Sequence, residues 1–222
     1  MRSCVLLIAS VLSGFLSSIA VGQSVEREAG PLPRFYPHQE TYLEIEAERR
    51  THFSLTYTVA SEDGIPPAEI EMWYEQDGER VSLAIDGRGR ITHRPDAETL
   101  ANAPSVFINQ EGGGMSLNMQ FEAILPGGPD YAVADLNLAL GQANHAMREA
   151  AGVAALFAPN FRTLIFVFDG PAPSATAIMA DGSSRALTAQ ENRIIVRPRD
   201  RSMRNLTRIE LGDRPFRVLL DS

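Results

Sequence analysis

Beyond residue 4 this chain contains no cysteine, and it contains no lysine at all. With Cys4 as the lone thiol, the rest of the chain can form no disulfide and can offer no thiolate metal site and no cysteine nucleophile. The absence of lysine removes Schiff-base chemistry, a P-loop lysine and Ser-x-x-Lys hydrolysis. No Gly-x-Ser-x-Gly is present, and no Gly-x-Gly-x-x-Gly stands between a strand pattern and a helix pattern. His38, His52, His93 and His145 form no His-x-x-x-His, His-Glu-x-x-His or His-x-His, so the sequence offers no local metal motif and implies no cofactor.

Long apolar runs are also scarce. The longest, Val5 to Leu16, is Ser-rich and short of the roughly 20 residues of a membrane span. Arg2 before it and Ala20-Val21-Gly22 after it give the layout of an export signal, residues 1–22, with a mature chain expected to begin near Gln23. Cys4 precedes the apolar core and is not placed for lipid attachment at the cleavage point. The expectation is a periplasmic or secreted protein that does not span the membrane once cleaved.

The formal net charge is −8. Acidic residues crowd the first half, from Glu40 to Glu79, and arginines crowd the end, from Arg185 to Arg217. The acidic total argues against a nucleic-acid binder. An exported domain without disulfides must rely on core packing, which about 200 residues can supply.

Short alternating patterns dominate the chain beyond residue 50. Before them, residues 23–49 carry Gly30, Pro31, Pro33 and Pro37 and read as an arm or linker, with a short helix or turn over Thr41 to Arg50. Phe53, Leu55, Tyr57 and Val59 alternate with Ser54, Thr56 and Thr58, as a half-buried strand does. Ile70, Met72 and Tyr74 alternate in the same way before Asp77-Gly78, a strong hairpin signal. Ala97 to Ala103 predicts a helical turn, Ser105 to Asn109 a strand, and Met115 to Ala123 the longest strand, entered from Gly112-Gly113-Gly114. Alternation with tight turns predicts antiparallel pairing.

Asp130 to Pro159 is the one long helical pattern, with Leu136, Leu140, Ala143, Met147, Ala150 and Ala154 on one face. Asp135 or Asp130 is its expected N-cap and Gly152 its C-cap or break. On either side the order of events repeats. Arg50-Thr51 corresponds to Arg162-Thr163, Asp77-Gly78 to Asp181-Gly182, and Arg90 to Pro95 to Arg193 to Pro198. The fold expected is mainly β, with two tandem duplicated antiparallel sandwich-like modules over 50–126 and 161–222 and the amphipathic helix of 127–160 between them. Leu164 to Phe168 is apolar on both faces and should be covered on both, the helix supplying one cover.

Few residues suggest chemistry. In the repeat His52 falls on Leu164 and His93 on Val196, which favours packed histidines over ligands; His145 falls on a solvated helix face beside Asn144. Glu69 and Glu71 form a carboxylate pair on one strand face, read as an acidic solvent face. Trp73 shares that polar face, either as a stacking platform for sugars or proteins or covered by the N-terminal arm. Arg197, Arg199 and Arg201 alternate, so an extended chain would align them, either as a solvated face or as a contact for an anionic envelope component or another protein. The function expected is a non-catalytic binding or assembly module. The alternative is an extracytoplasmic hydrolase whose site is assembled from distant residues.

Overall fold

The computed structural model of the chain describes residues 26–110, 114–151 and 160–222. The expected export signal, the Gly152 break and the Pro159 stop therefore lie outside the described residues. Within the described residues fourteen strands form three sheets, and every pairing is antiparallel. Among the described residues, no helix is long and apolar enough to cross a membrane.

In the first half come β1 (Arg27–Pro31), α1 (Gln39–Glu44), β2 (Phe53–Ser61), β3 (Met72–Gln76), β4 (Glu79–Ser82), α2 (Ala97–Asn102), β5 (Ser105–Ile108) and β6 (Met115–Ala123). Asp77 and Gly78 close the β3–β4 hairpin, at φ values of 53° and 81°. This left-handed pair matches the right-handed twist of the strands and explains the Asp-Gly choice. Asp96 caps α2, accepting from the Thr99 amide at 2.8 Å.

In the second half come β7 (Asp130–Ala132), α3 (Val133–Ala151), β8 (Thr163–Val167), β9 (Ala175–Met179), β10 (Ser184–Ala186), β11 (Ala189–Gln190), β12 (Arg193–Val196), β13 (Leu206–Leu211) and β14 (Arg217–Asp221). One small sheet runs β1-β5-β3-β4 and the other β7-β13-β9-β10. The third, of six strands, runs β11-β12-β8-β14-β6-β2 and so draws on both halves. The halves join where β14 meets β6 at Leu219 and Glu122.

One face of the six-stranded sheet carries the core. Phe53, Leu55, Tyr57 and Val59 of β2 are buried, as are Leu164 and Phe166 of β8 and Ile194 and Val196 of β12. The buried side chains fall into two clusters, one under each small sheet, with Tyr42 and Phe121 touching both. The opposite face carries Ser54, Thr58, Gln120, Glu122, Arg217 and Ile165, which remain partly exposed. On that face of β8, Thr163 and Val167 are buried and Ile165 between them is half-buried, so the strand is largely covered on both faces, as its two-sided apolar pattern predicts.

The N-terminal segment, read as a linker or a pinned arm, is held in the core: β1 pairs with β5, and Leu32, Phe35 and Tyr36 are buried. Two expectations need correction. The helix does not begin at Asp130. Asp130–Ala132 pairs with Glu210, Ile209 and Arg208 of β13, and Tyr131 packs against Phe166 with ring centroids 5.2 Å apart. A ladder and a buried aromatic ring outweigh the weak helix preference of three residues. Neither Asp130 nor Asp135 is therefore an N-cap; Asp135 lies within the first turn. The buried stripe is also rotated, comprising Leu136, Ala139, Leu140, Ala143 and Ala146, while Met147 is half-buried and Ala150 exposed. Alanines at these contacts let the helix lie close to the small sheet at β7 and β13 and to the large sheet at β6 and β2.

Candidate functional site

Helix length decides where the core face of the large sheet stays open. α1 has six residues, about 9 Å of helix, above strands β2 and β6 of nine residues each, about 30 Å. A groove of about 250 Å³ remains between α1, the strands and the last turns of α3. Phe53, Leu55, Met119 and Phe121 form its floor, Tyr42 and Ile45 one wall, Met147 the other. No Asp, Glu or Arg lines it among the described residues.

The groove is held open by specific contacts. His38 precedes α1 in the left-handed region, φ 62°, and turns the chain into the helix. The Tyr42 hydroxyl donates to the Phe53 carbonyl at 3.1 Å, its ring stands edge-on to Phe53, and the Arg50 guanidinium covers it at 5.1 Å. On the far side α3 is clamped at two points. Gln142 accepts from the His52 amide at 2.8 Å and donates to Thr51 at 3.0 Å. Asn144, fully buried, donates to the Phe161 carbonyl at 2.8 Å and accepts from the Phe161 amide at 2.7 Å. Sequence reading put Asn144 on the solvated face beside His145. The signal that could have found it is a polar residue one position from the buried stripe, facing a chain that must turn back into β8.

The residues singled out from sequence lie elsewhere. Trp73 is 4 % exposed and is not a platform. Its strand is interior to its sheet, and the indole stacks on Phe107 of β5 while the Arg80 guanidinium lies 3.4 Å over the ring. Glu26 and Glu71 hold that arginine at 3.3 and 3.4 Å. Glu71 thus serves an ion pair and is not one of a free carboxylate couple with Glu69. Nor do Arg197, Arg199 and Arg201 share a face. β12 ends at Val196, and Arg201 opens a 3-10 turn. Arg197 reaches Thr163 at 3.2 Å and Arg199 holds Asn137 on α3 at 3.1 Å. Alternation failed here because Pro198 is buried and bends the chain out of the strand.

The histidines are dispersed. His93 sits 3.1 Å from the Tyr74 hydroxyl, and burial, helped by Arg94, lowers its pKa against the opposing pull of Asp96. His145 pairs with Glu149 at 3.2 Å, and Glu149 also takes Arg49 at 2.9 Å. Burial likewise raises the phenol pKa of Tyr36 and Tyr57 well above the ordinary range. The Tyr57 hydroxyl bonds to Pro37 and Gln39, which fastens the chain ahead of α1 to the sheet. Among the described residues no three His, Cys, Asp or Glu side chains come together as a metal site would require. Compared with protein-family models, curated proteins and solved structures, the chain gives no match in any of the three.

Proposed function

We propose that this chain is an exported, non-catalytic binding module whose ligand is a single aliphatic chain held in the groove over β2 and β6. The observation that carries the reading is the groove's lining: mostly aromatic, Met and aliphatic side chains, with His38 and Thr41 at the α1 end and no Asp, Glu or Arg among the described residues. Its volume lies just below the roughly 300–1,000 Å³ of common small-molecule pockets, which suits one flexible chain better than a ring system. Met119 and Met147, unbranched and polarizable, adapt to such a guest. Export rests on the N-terminal pattern, and an intact mass beginning near Gln23 in periplasm or medium tests it.

The groove reading is tested with N-phenyl-1-naphthylamine, a neutral apolar dye, and with 1-decanol as competitor. Dye fluorescence should rise on mixing and fall again with decanol. Met119→Trp fills the floor and should abolish the signal while leaving the fold intact by circular dichroism. Absence of dye binding to the full chain, or binding that Met119→Trp leaves unchanged, would overturn the assignment.

We further propose that the two halves are sandwich-like copies of one module. The register supports this. Arg90 lies opposite Thr58 and Arg193 opposite Val167, which makes Leu55 the counterpart of Leu164. Leu55 faces Phe121 and Leu164 faces Leu220, so those two are counterparts as well. The Leu219–Glu122 pair is then the contact made by a two-fold axis between Phe121 and Leu220. On this reading α3 belongs to the second copy, as α1 does to the first, and His52 no longer falls on Leu164. An experimental structure with β14 and β6 in another register would remove the axis.

A further inference from the structure

We propose a second site on the opposite face of the six-stranded sheet: a pocket at the seam of the two halves that takes an acidic sugar, with an oxyanion on its arginines and a hydroxyl on Glu122. The pocket is about 260 Å³ and is lined by Ser54, Arg90, Glu122, Arg214, Phe216 and Arg217, among others. Its residues come from both halves, on β2, β6 and β14 and the segments beside them. The groove lies on the other side of the sheet, so this inference stands independently of the aliphatic-chain reading.

Three observations converge on it. The first is charge: Arg88, Arg90, Arg214 and Arg217 gather here against Glu122 and Asp169, leaving the seam with surplus positive charge. Arg88 is paired with Asp169, and Arg90 with Glu122 at 3.1 Å. The second is unmet hydrogen bonding. Arg217 donates from Nη1 to Gln120 at 3.1 Å, but its buried Nε–H has no acceptor. Glu122 accepts from Arg90 at Oε1; its Oε2 lies within ion-pair range of that guanidinium yet takes no hydrogen bond and is buried. The buried Arg217 donor is left open in the pocket, and Glu122 Oε2, 3.1 Å from the Arg90 guanidinium, keeps lone pairs for a further donor. An oxyanion answers the first and a hydroxyl the second. Burial lowers the pKa of Arg217; Glu122 opposes that shift, while Arg90, Arg193 and Arg88 add to it.

The third is apolar. Of the exposed large hydrophobic side chains among the described residues, Ile124 and Phe216 both border this pocket. The Arg88 and Arg217 guanidiniums lie 4.8 and 5.1 Å from the Phe216 ring centre, and 37 % of the Phe216 surface stays exposed. An aromatic face beside oxyanion donors suits the C–H face of a sugar ring carrying an acidic group.

The test is isothermal titration of the full chain with glucose 6-phosphate, inorganic phosphate and glucose. Glucose 6-phosphate should bind one to one, at least tenfold tighter than either of the others, and its affinity should fall as salt rises. Arg217→Gln should weaken it about tenfold or more. Phe216→Ala, a change at an exposed side chain that leaves the fold alone, should weaken it several-fold and keeps the test open should Arg217→Gln not fold. Decanol should not displace it. No binding overturns the proposal. Phosphate binding equal to the sugar phosphate overturns the hydroxyl role of Glu122, and equal binding of glucose overturns the oxyanion. Flotation with phosphatidylglycerol vesicles in the absence of sugar-phosphate binding would assign the arginines to a lipid surface instead.

Discussion

Each half of the molecule sets one four-stranded sheet against its share of the six-stranded sheet, and the helices of the two halves are very different. In the first half the six residues of α1 leave β2 and β6 partly open, and the floor of a groove is the result. In the second half the nineteen residues of α3, about 28 Å of helix, pack Leu136, Leu140 and Ala143 fully into the core. Helix length thus sets how far the core face of the large sheet is covered. The proposed binding groove lies where the cover is short, and stability should concentrate where it is long.

This contrast can be broken by mutation, and the largest effect should come from the core contacts of the helices. Leu140→Ala removes a fully buried side chain and should cost about 2–5 kcal/mol. Leu43→Ala on the partly buried α1 should cost less than about 1.5 kcal/mol. Urea titrations of both variants decide it. Equal losses would mean that the short helix carries as much of the core as the long one.

The two polar clamps on α3 sharpen the comparison. Asn144 faces the second half, and its replacement by Ala strands the Phe161 amide and carbonyl in the interior, at about 1–3 kcal/mol for a buried group left unpaired. Gln142 faces the first half, where water can replace it, so Gln142→Ala should cost about 0.5–1 kcal/mol. Thermal melts that rank Gln142→Ala below Asn144→Ala in stability would reverse the picture of a helix anchored mainly to its own half.

The smallest effect is electrostatic. His93 in the first half is half-buried beside Tyr74, and its folded pKa is lowered by burial and by Arg94 against the pull of Asp96. The unfolded chain then binds a proton more readily than the folded one. Its contribution to stability is complete above about pH 6.5 and is lost as pH falls through the lowered folded value. His93→Gln should flatten the pH dependence of the urea midpoint between about pH 6.5 and 5. An unchanged slope would assign the acid sensitivity to other groups.

Much of the β content was legible because it depends on neighbours along the chain. Alternation marked β2 and β3, the strand expected over Met115 to Ala123 is β6, Asp77-Gly78 marked the hairpin, and the turn expected over Ala97 to Ala103 is α2. The groove was not legible. Its floor residues looked like ordinary core positions, and only the length of the element above them leaves them open. The seam was hidden for a related reason: Arg90, Glu122 and Arg217 are far apart in sequence and meet through the β6–β14 pairing.

Sequence by itself determined which segments extend, where the chain reverses, and which thiol and lysine chemistries are closed to it. These features come from local sterics, side-chain periodicity and composition. Tertiary structure decided that Asp130–Ala132 is a strand, that Trp73 lies under Arg80, and that Arg197, Arg199 and Arg201 diverge. It also decided that polar residues of two halves share one pocket. A ladder partner, a covering guanidinium or a buried proline acts across space, and the free energy of such contacts exceeds the small local preferences that a linear pattern records.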